Sequence, residues 1–248
     1  MSGPYRNGHT ATMWSSRPLR GSRGEAMAHP WPLFDLRLRT PRLELRLPTD
    51  DDLLALAKVA RGGIHDATVT PFPVAWDELP SPAFERNFPT HWWVARGSWK
   101  PENWTLTLAV IAGEEAIGIQ DLMAKDFSTR RSVASGSWLG QAFQGHGYGT
   151  EMRAAMLWLA FEGLGALVAE SGYIAGNSAS VRVSEKLGYV PNGESIVAAR
   201  GEPLTERLVR VTPPTWHRDL VPVTIENLEP CLGLFGVGEL ARSEWSPL

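Results

Sequence analysis

The sequence predicts an α+β (mixed α/β) fold in which one mixed β-sheet carries helices. Three observations support this. Several segments alternate apolar and polar residues with period two, others place apolar residues at i, i+3, i+4 and i+7, and the middle of the chain runs strand, glycine loop, helix, strand, helix.

At the start of the chain, residues 1–34 carry Arg6, Arg17, Arg20 and Arg23 among Ser and Gly, with no acid before Glu25. The stretch imitates a transit peptide but lacks an amphipathic period, so it is expected to be a disordered extension. Met13 and Met27 are alternative starts, and the fold is expected to stand without the residues before Met27. Residues 36–39 and 43–47 alternate leucine with charge, as a half-buried strand does, until Pro48 and Thr49. Thr49 and Asp52 form a capping-box pair. Leu53, Leu54, Leu56, Ala57 and Ala60 then supply a helical stripe that Gly62-Gly63 end.

Residues 64–82 are proline-rich and read as an irregular loop. Ser81-Pro82 opens a second helix, with Ser81 as N-cap and Pro82 at the first position, and Pro89 is expected to kink or shorten it. Residues 104–110 and 116–123 form a β-hairpin, and 132–139 another strand. After the glycine loop comes a helix striped by Met152, Ala155, Met156, Leu159 and Ala160, ending at Gly163. A strand over 167–174 is next. Asn177 then caps a helix containing Val181, Val183 and Leu187, closed by Gly188. Strands are expected near 195–199 and 206–211. The folded domain is thus read over 35–213, with 214–248 as a tail whose apolar patches pack on the domain or on a second subunit. That leaves open a homo-oligomer.

Composition limits the function. Hydrophobic residues make up 43% and charged residues 21%, a globular balance. A net charge of -3 lacks the basic excess that reading phosphates requires, so no nucleic-acid partner is expected. The single cysteine, Cys231, excludes an internal disulfide framework and a cysteine-rich zinc site, and fits a reducing, cytoplasmic setting. No apolar run has bilayer length, so no membrane partner is expected, and no metal is expected either. Of eleven tryptophans, Trp76, Trp92, Trp93, Trp99 and Trp104 cluster, as an aromatic core or as an apolar acceptor pocket.

The segment with chemistry is Gln144-Gly145-His146-Gly147-Tyr148-Gly149-Thr150. Three glycines at alternate positions let the backbone approach a ligand closely. The helix N-terminus behind them offers unpaired N–H groups and the positive end of a dipole. That combination suits a pyrophosphate. No Gly-Lys-Ser/Thr is present, so the loop is not that of nucleoside triphosphate enzymes, and the spacing is not Gly-x-Gly-x-x-Gly. A glycine turn without ligand is the bland alternative.

This loop, with Glu151, resembles the Gln/Arg-x-x-Gly-x-Gly/Ala motif of the GNAT N-acetyltransferases. Asn177-Ser178-Ala179-Ser180 through Glu185-Lys186-Leu187-Gly188-Tyr189 is similar to that superfamily's next motif, in the form typical of the Rim-type ribosomal-protein N-terminal acetyltransferases. Leu38-Arg39-Thr40-Pro41-Arg42-Leu43-Glu44-Leu45-Arg46 and Gly136-Ser137-Trp138-Leu139-Gly140 resemble the same branch, so the likeness spans roughly 36–210. The resemblance implies a twisted sheet splayed at its centre, with acetyl-CoA or another short acyl-CoA such as succinyl-CoA as cosubstrate. The pantetheine arm would lie between the strand ending at Leu139 and the strand over 167–174. Main-chain groups of Trp138 and Leu139 would pair with that arm. Gln144, Gly145, His146, Gly147, Tyr148, Gly149 and Thr150 would meet the phosphates, and Asn177 and Ser180 would also touch the cofactor. Gln144 stands where Arg is frequent, so binding would lean on backbone donors.

Transfer of an acyl group to an amine needs a neutral amine, a polarised thioester carbonyl and a protonated leaving thiolate. A backbone N–H near Leu139 is the expected polariser, and Ser180 the group at the thiolate, unless it is an ordinary first-turn serine. Asp121, Glu170 and Tyr173 are candidates to reach the acceptor amine. Glu170 is otherwise a solvated acid, and His65, His91 and His146 are left without a role. The sequence also allows a non-catalytic acyl-CoA-binding or sensing module on the same fold. A nucleotide enzyme is disfavoured by the missing lysine. The acceptor is open among a protein N-terminus, a lysine and a small amine.

Overall fold

The computed structural model describes residues 29–65, 72, 74, 76–199 and 201–238. Residues before 29, where the disordered extension is expected, lie outside the described residues, as do those after 238. The chain divides into two units, 1–31 and 32–248, and the sheet and its helices belong to the second.

The second unit begins with a 3-10 turn, Pro32–Phe34, whose Leu33 is buried. The alternating leucines then form two strands rather than one. β1 (Arg37–Arg39) and β2 (Leu43–Arg46) pair as an antiparallel hairpin, with Leu38 opposite Leu45, both buried. Helix α1 (Asp50–Arg61) starts with the expected capping box: the Thr49 hydroxyl accepts from the Asp52 N–H, and the Asp52 carboxylate accepts from the Thr49 N–H. Its stripe buries Leu53, Leu56, Ala57 and Ala60, while Leu54 points to solvent.

Helix α2 (Ala83–Gly97) departs from expectation twice. Pro82 is its N-cap and no described side chain caps it; the Ser81 hydroxyl donates instead to the Glu85 carboxylate at 2.6 Å. Pro89 sits inside the helix and does not end it. Phe84, Phe88 and Trp92, one turn apart and buried, hold both halves to the sheet, so tertiary packing outweighs the local cost of proline.

Strands β3 (Asn103–Ala112) and β4 (Glu115–Lys125) form the expected hairpin. After the short helix α3 (Phe127–Arg130) comes β5 (Ser132–Leu139). Helix α4 (Tyr148–Trp158) runs into a π-helical turn, Leu159–Gly163, before β6 (Val168–Ile174). Helix α5 (Ser178–Lys186) has Asn177 as N-cap, accepting from the Ser180 N–H. Strands β7 (Val190–Ala199) and β8 (Glu202–Val211) are longer than the pattern suggests.

The segment after Pro213 adds β9 (Thr224–Glu226) to the sheet edge beside β1, and a 3-10 stretch, Glu229–Phe235. Phe235 is buried against Trp99 and Trp104, and both indole N–H groups donate to carbonyls of this stretch, Leu234 and Phe235. The sheet order is β7-β8-β6-β5-β4-β3-β2-β1-β9, antiparallel except for β5 beside β6.

The tryptophan cluster therefore splits. Trp99 and Trp104 form a core with Phe127 and Phe235. Trp92 joins the core under α1 and α2 with Ala109, Ile119 and Trp138. Trp76 packs at the margin of that core, against Trp138 at 5.8 Å between ring centroids. Trp93 is half exposed and belongs to neither core.

Candidate active site

The site is created where the sheet comes apart. β5 and β6 pair only at Ser132–Val168, Val133–Ala169 and Ala134–Glu170. Beyond Ala134 the strands diverge, although β5 stays paired to β4 as far as Leu139 and β6 stays paired to β8 as far as Ile174. The Ser171 hydroxyl, donating to the Ser135 carbonyl at 3.3 Å, bridges the fork just past the last pair. The Gly140 N–H donates to Ile117 on the β4 side. Antiparallel alternation then turns the N–H of Leu139 away from β4, toward the fork. Gly118 makes this end of β5 possible: a Cβ there would lie 2.3 Å from the Trp138 carbonyl oxygen.

The glycine loop lies at the mouth of the fork. Gly145 and Gly147 have φ of 79° and 86°, left-handed conformations that disfavour any side chain. Among the described residues no side chain caps α4, so its first turn presents N–H groups without a side-chain acceptor there. The loop from Gln144 to Gly147 is exposed. These features fit an anionic pyrophosphate, and the diverging strand edges fit an extended arm that pairs like a strand.

Two side chains have duties that the sequence does not reveal. Gln144, though exposed, turns its side-chain amide back onto the protein rather than standing free like a phosphate-binding arginine. Its amide donates to the Leu139 carbonyl at 2.9 Å and the Ile64 carbonyl at 2.7 Å, closing the neck of the loop. The loop's cation is Arg42, next to β2, which donates to the His146 carbonyl at 3.0 Å and to the Glu151 carboxylate at 2.7 Å. Glu151 is buried in the first turns of α4 and also accepts from the Thr40 hydroxyl and the Arg42 N–H. The hairpin β1–β2 is thereby clamped to the loop. The His146 ring lies beside Tyr148, 6.2 Å between centroids.

Strand register sorts the catalytic candidates. Asp121 pairs with Gly136 and Met123 with Ala134, which is level with Glu170. Asp121 and Glu170 therefore share the sheet face that carries Ile119, Trp138 and helices α1 and α2. Tyr173 falls on the opposite face, in a hollow of about 530 Å³ with Pro191, Glu194, Arg207 and Val209. The structure thus brings Asp121 and Glu170 to one side and sets Tyr173 apart. Asp121 is half-buried and its Oδ1 is enclosed without a hydrogen bond among the described residues. Burial pushes its pKa up to about 7, opposed by the Thr107 hydroxyl across the ladder.

Glu170 accepts from the Ser132 hydroxyl and the Asn192 amide, each at 3.3 Å. Glu206 on β8, which no sequence motif marks, leans over Gly172, where a Cβ would lie 2.4 Å from its carboxylate, and accepts from Ser195. Ser180 is half-buried in the first turn of α5, with its carbonyl accepting from the Ser184 hydroxyl at 2.9 Å. His65 is paired with Asp77 at 2.9 Å, and His91 packs edge-on to Trp92, where burial lowers its pKa. Among the described residues, no three His, Cys, Asp or Glu side chains gather as a metal site, and no helix is long and apolar enough to cross a membrane.

Comparison with known proteins agrees with this geometry. Residues 42–190 match the acetyltransferase (GNAT) domain family. Mycobacterium smegmatis RimJ, solved with CoA-disulfide, superposes with a TM-score of 0.62 at 18% identity, over 74% of this chain and 90% of that one. The ribosomal-protein-S5-alanine acetyltransferase from Vibrio fischeri gives a TM-score of 0.56 at 18% identity over 73% of this chain and 98% of that one. RimL, a ribosomal L7/L12 alpha-N-protein acetyltransferase solved with coenzyme A, gives 0.55 at 13% identity over 70% and 95%. At these identities the structures show a shared fold, while the family match covers more than half of the chain. The motifs, the forked sheet and the family match together make the chain a member of the GNAT family of acyl-CoA-dependent N-acetyltransferases.

Proposed function

We propose that the chain is a Rim-type enzyme that moves an acetyl group from acetyl-CoA to the α-amine of a protein N-terminus, by direct attack with both substrates bound. The fork between β5 and β6, with the glycine loop at its mouth, is the observation that carries this reading. In it, the phosphates of acetyl-CoA lie on N–H groups from Gln144 through Thr150, and the arm runs along Trp138 and Leu139. The Leu139 N–H polarises the thioester carbonyl. The acceptor approaches from the α1/α2 face, where Asp121, Glu170 and Glu206 make the surroundings acidic and favour an amine.

The chemistry balances without further reactants. The amine nitrogen bonds to the carbonyl carbon, the C–S bond breaks, and sulfur leaves with the electron pair. The nitrogen loses one proton, to Asp121 directly or through water, and sulfur gains one from solvent through the Ser180 hydroxyl, so that the release of the Asp121 proton to solvent closes the balance. Ser180 donates a hydrogen bond at the departing sulfur, with Asn177 holding the turn that carries it. Asp121, with its pKa about 7, is suited to accept a proton and release it again. The RimJ, RimL and S5 names favour a ribosomal-protein acceptor, and the acidic wall is compatible with one.

The test is calorimetric titration with acetyl-CoA, succinyl-CoA and free CoA, beside Gly147→Glu, followed by turnover on N-terminal peptides. Binding that the variant loses, with transfer to a peptide α-amine, is the expected result. Preference for succinyl-CoA would overturn the donor assignment. Binding without turnover on any amine would reduce the chain to an acyl-CoA-binding module.

A further inference from the structure

Arg153 is a buried cation that has no part in the proposed transfer step. It lies on α4 and is only 6% exposed. Its two terminal nitrogens donate to hydroxyls, Ser184 on α5 at 3.1 Å and Ser137 on β5 at 3.4 Å. Its Nε is enclosed and has no partner among the described residues. No carboxylate pairs with it there; the one ionisable group acting on it is the Tyr189 phenol, and burial pushes that phenol's pKa up, so it stays neutral. Glu151, two residues earlier, is committed to Arg42. Burial lowers the Arg153 pKa, yet a guanidinium remains charged in proteins.

Stripping water from an uncompensated charge costs several kcal/mol. A hydrocarbon side chain would fill this place more favourably if packing were its purpose. The position says what the charge can act on. Ser137 belongs to the part of β5 that borders the fork, and Ser184 donates to the Ser180 carbonyl one turn up α5. Arg153 thus joins the β5 wall of the fork to the helix whose first turn carries Ser180. Of the other ionisable groups around the fork, Glu170, Asp121 and Glu206 sit on the opposite face, and Tyr173 lines the hollow against β8.

We propose that Arg153 is a positioning residue for the leaving group: through Ser184 it fixes the turn bearing Ser180, and its unpaired positive charge favours the thiolate that forms when the C–S bond breaks. The inference rests on the acyl-CoA reading above. Low dielectric makes such a fixed charge effective without direct contact.

The experiment titrates the thiol of CoA bound to the whole protein, by the ultraviolet absorbance of the thiolate, in the wild type, Arg153→Lys, Arg153→Met and Ser184→Ala. The wild type is expected to hold the bound thiol below the pKa of free CoA. Arg153→Met should raise it by about one pH unit, the scale of one fixed charge nearby, while Arg153→Lys retains most of the effect. Ser184→Ala keeps the charge and should retain the lowered thiol pKa, yet it should lower kcat because the Ser180 turn loses its tie; an unchanged kcat would overturn the link through Ser184. A wild-type thiol that titrates like free CoA overturns the proposal even if Arg153→Met fails to fold. So does an Arg153→Met protein that folds, binds CoA and leaves the thiol unchanged. Failure of the wild type to bind CoA at all would instead sink the acyl-CoA reading beneath it.

Discussion

Replacing Glu151 by alanine should detach the first hairpin from the glycine loop. The Glu151 side chain is 7% exposed and its carboxylate accepts from the Thr40 hydroxyl at 2.6 Å, the Arg42 N–H at 3.0 Å and the Arg42 Nε at 2.7 Å. A hydrogen bond to a charged group contributes about 1.5–3 kcal/mol net. The three do not add, because burying the carboxylate opposes them and Arg42, 47% exposed, is screened by solvent. Thr40 also has the Leu43 carbonyl within reach, at 3.3 Å. The expected loss is therefore about 2–3 kcal/mol, with a Tm lower by about 5–10 °C for a domain of this size. Glu151→Gln keeps the shape and an acceptor oxygen, and should lose only about 1 kcal/mol. Urea unfolding followed by tryptophan fluorescence reads both, provided the slope m is unchanged. A loss below about 0.5 kcal/mol for Glu151→Ala, the range of ordinary surface substitutions, would refute the claim that this network clamps hairpin to loop.

Asp121 and Gly118 offer two further tests of the same geometry. Asp121 has a folded pKa raised to about 7 from 3.8, so between those values the folded state holds a proton that the unfolded chain has lost. Stability from this group is present below the unfolded value and falls as pH rises toward 7, by on the order of 2–4 kcal/mol at most. Asp121→Asn should flatten that slope in pH-dependent unfolding, and should lower kcat about 10²-fold or more while removing the rise in rate through pH 7; an unchanged pH–rate profile would exclude Asp121 as the base. Gly118→Ala places a Cβ 2.3 Å from the Trp138 carbonyl oxygen and 2.7 Å from the Leu139 side chain. It should cost about 1–3 kcal/mol and weaken CoA binding by displacing this end of β5, as chemical denaturation and calorimetry would show. A stable variant with full affinity would mean that the β5 edge is not the cofactor's wall.

Much of this protein is legible in local pattern. Period-two leucines, the Thr49–Asp52 pair, the hairpin over β3 and β4, the glycine loop and the Asn177 cap depend on neighbours a few residues apart, so the sequence carries them openly. Even Arg153 leaves a mark, as the single charge in the apolar run from Met152 to Phe161.

Tertiary structure decided the rest. Where β5 and β6 stop pairing is set by register between strands separated by a helix, and no local pattern encodes it. The same register put Tyr173 on the face opposite Asp121. Long-range partners turned Gln144 inward to carbonyls, joined Arg42 to Glu151 across more than a hundred residues, and carried α2 through Pro89 on buried aromatics. The chain by itself determined which chemistry was available. Packing determined which side chains stand together around the fork, because burial and charge depend on what distant segments bring beside them.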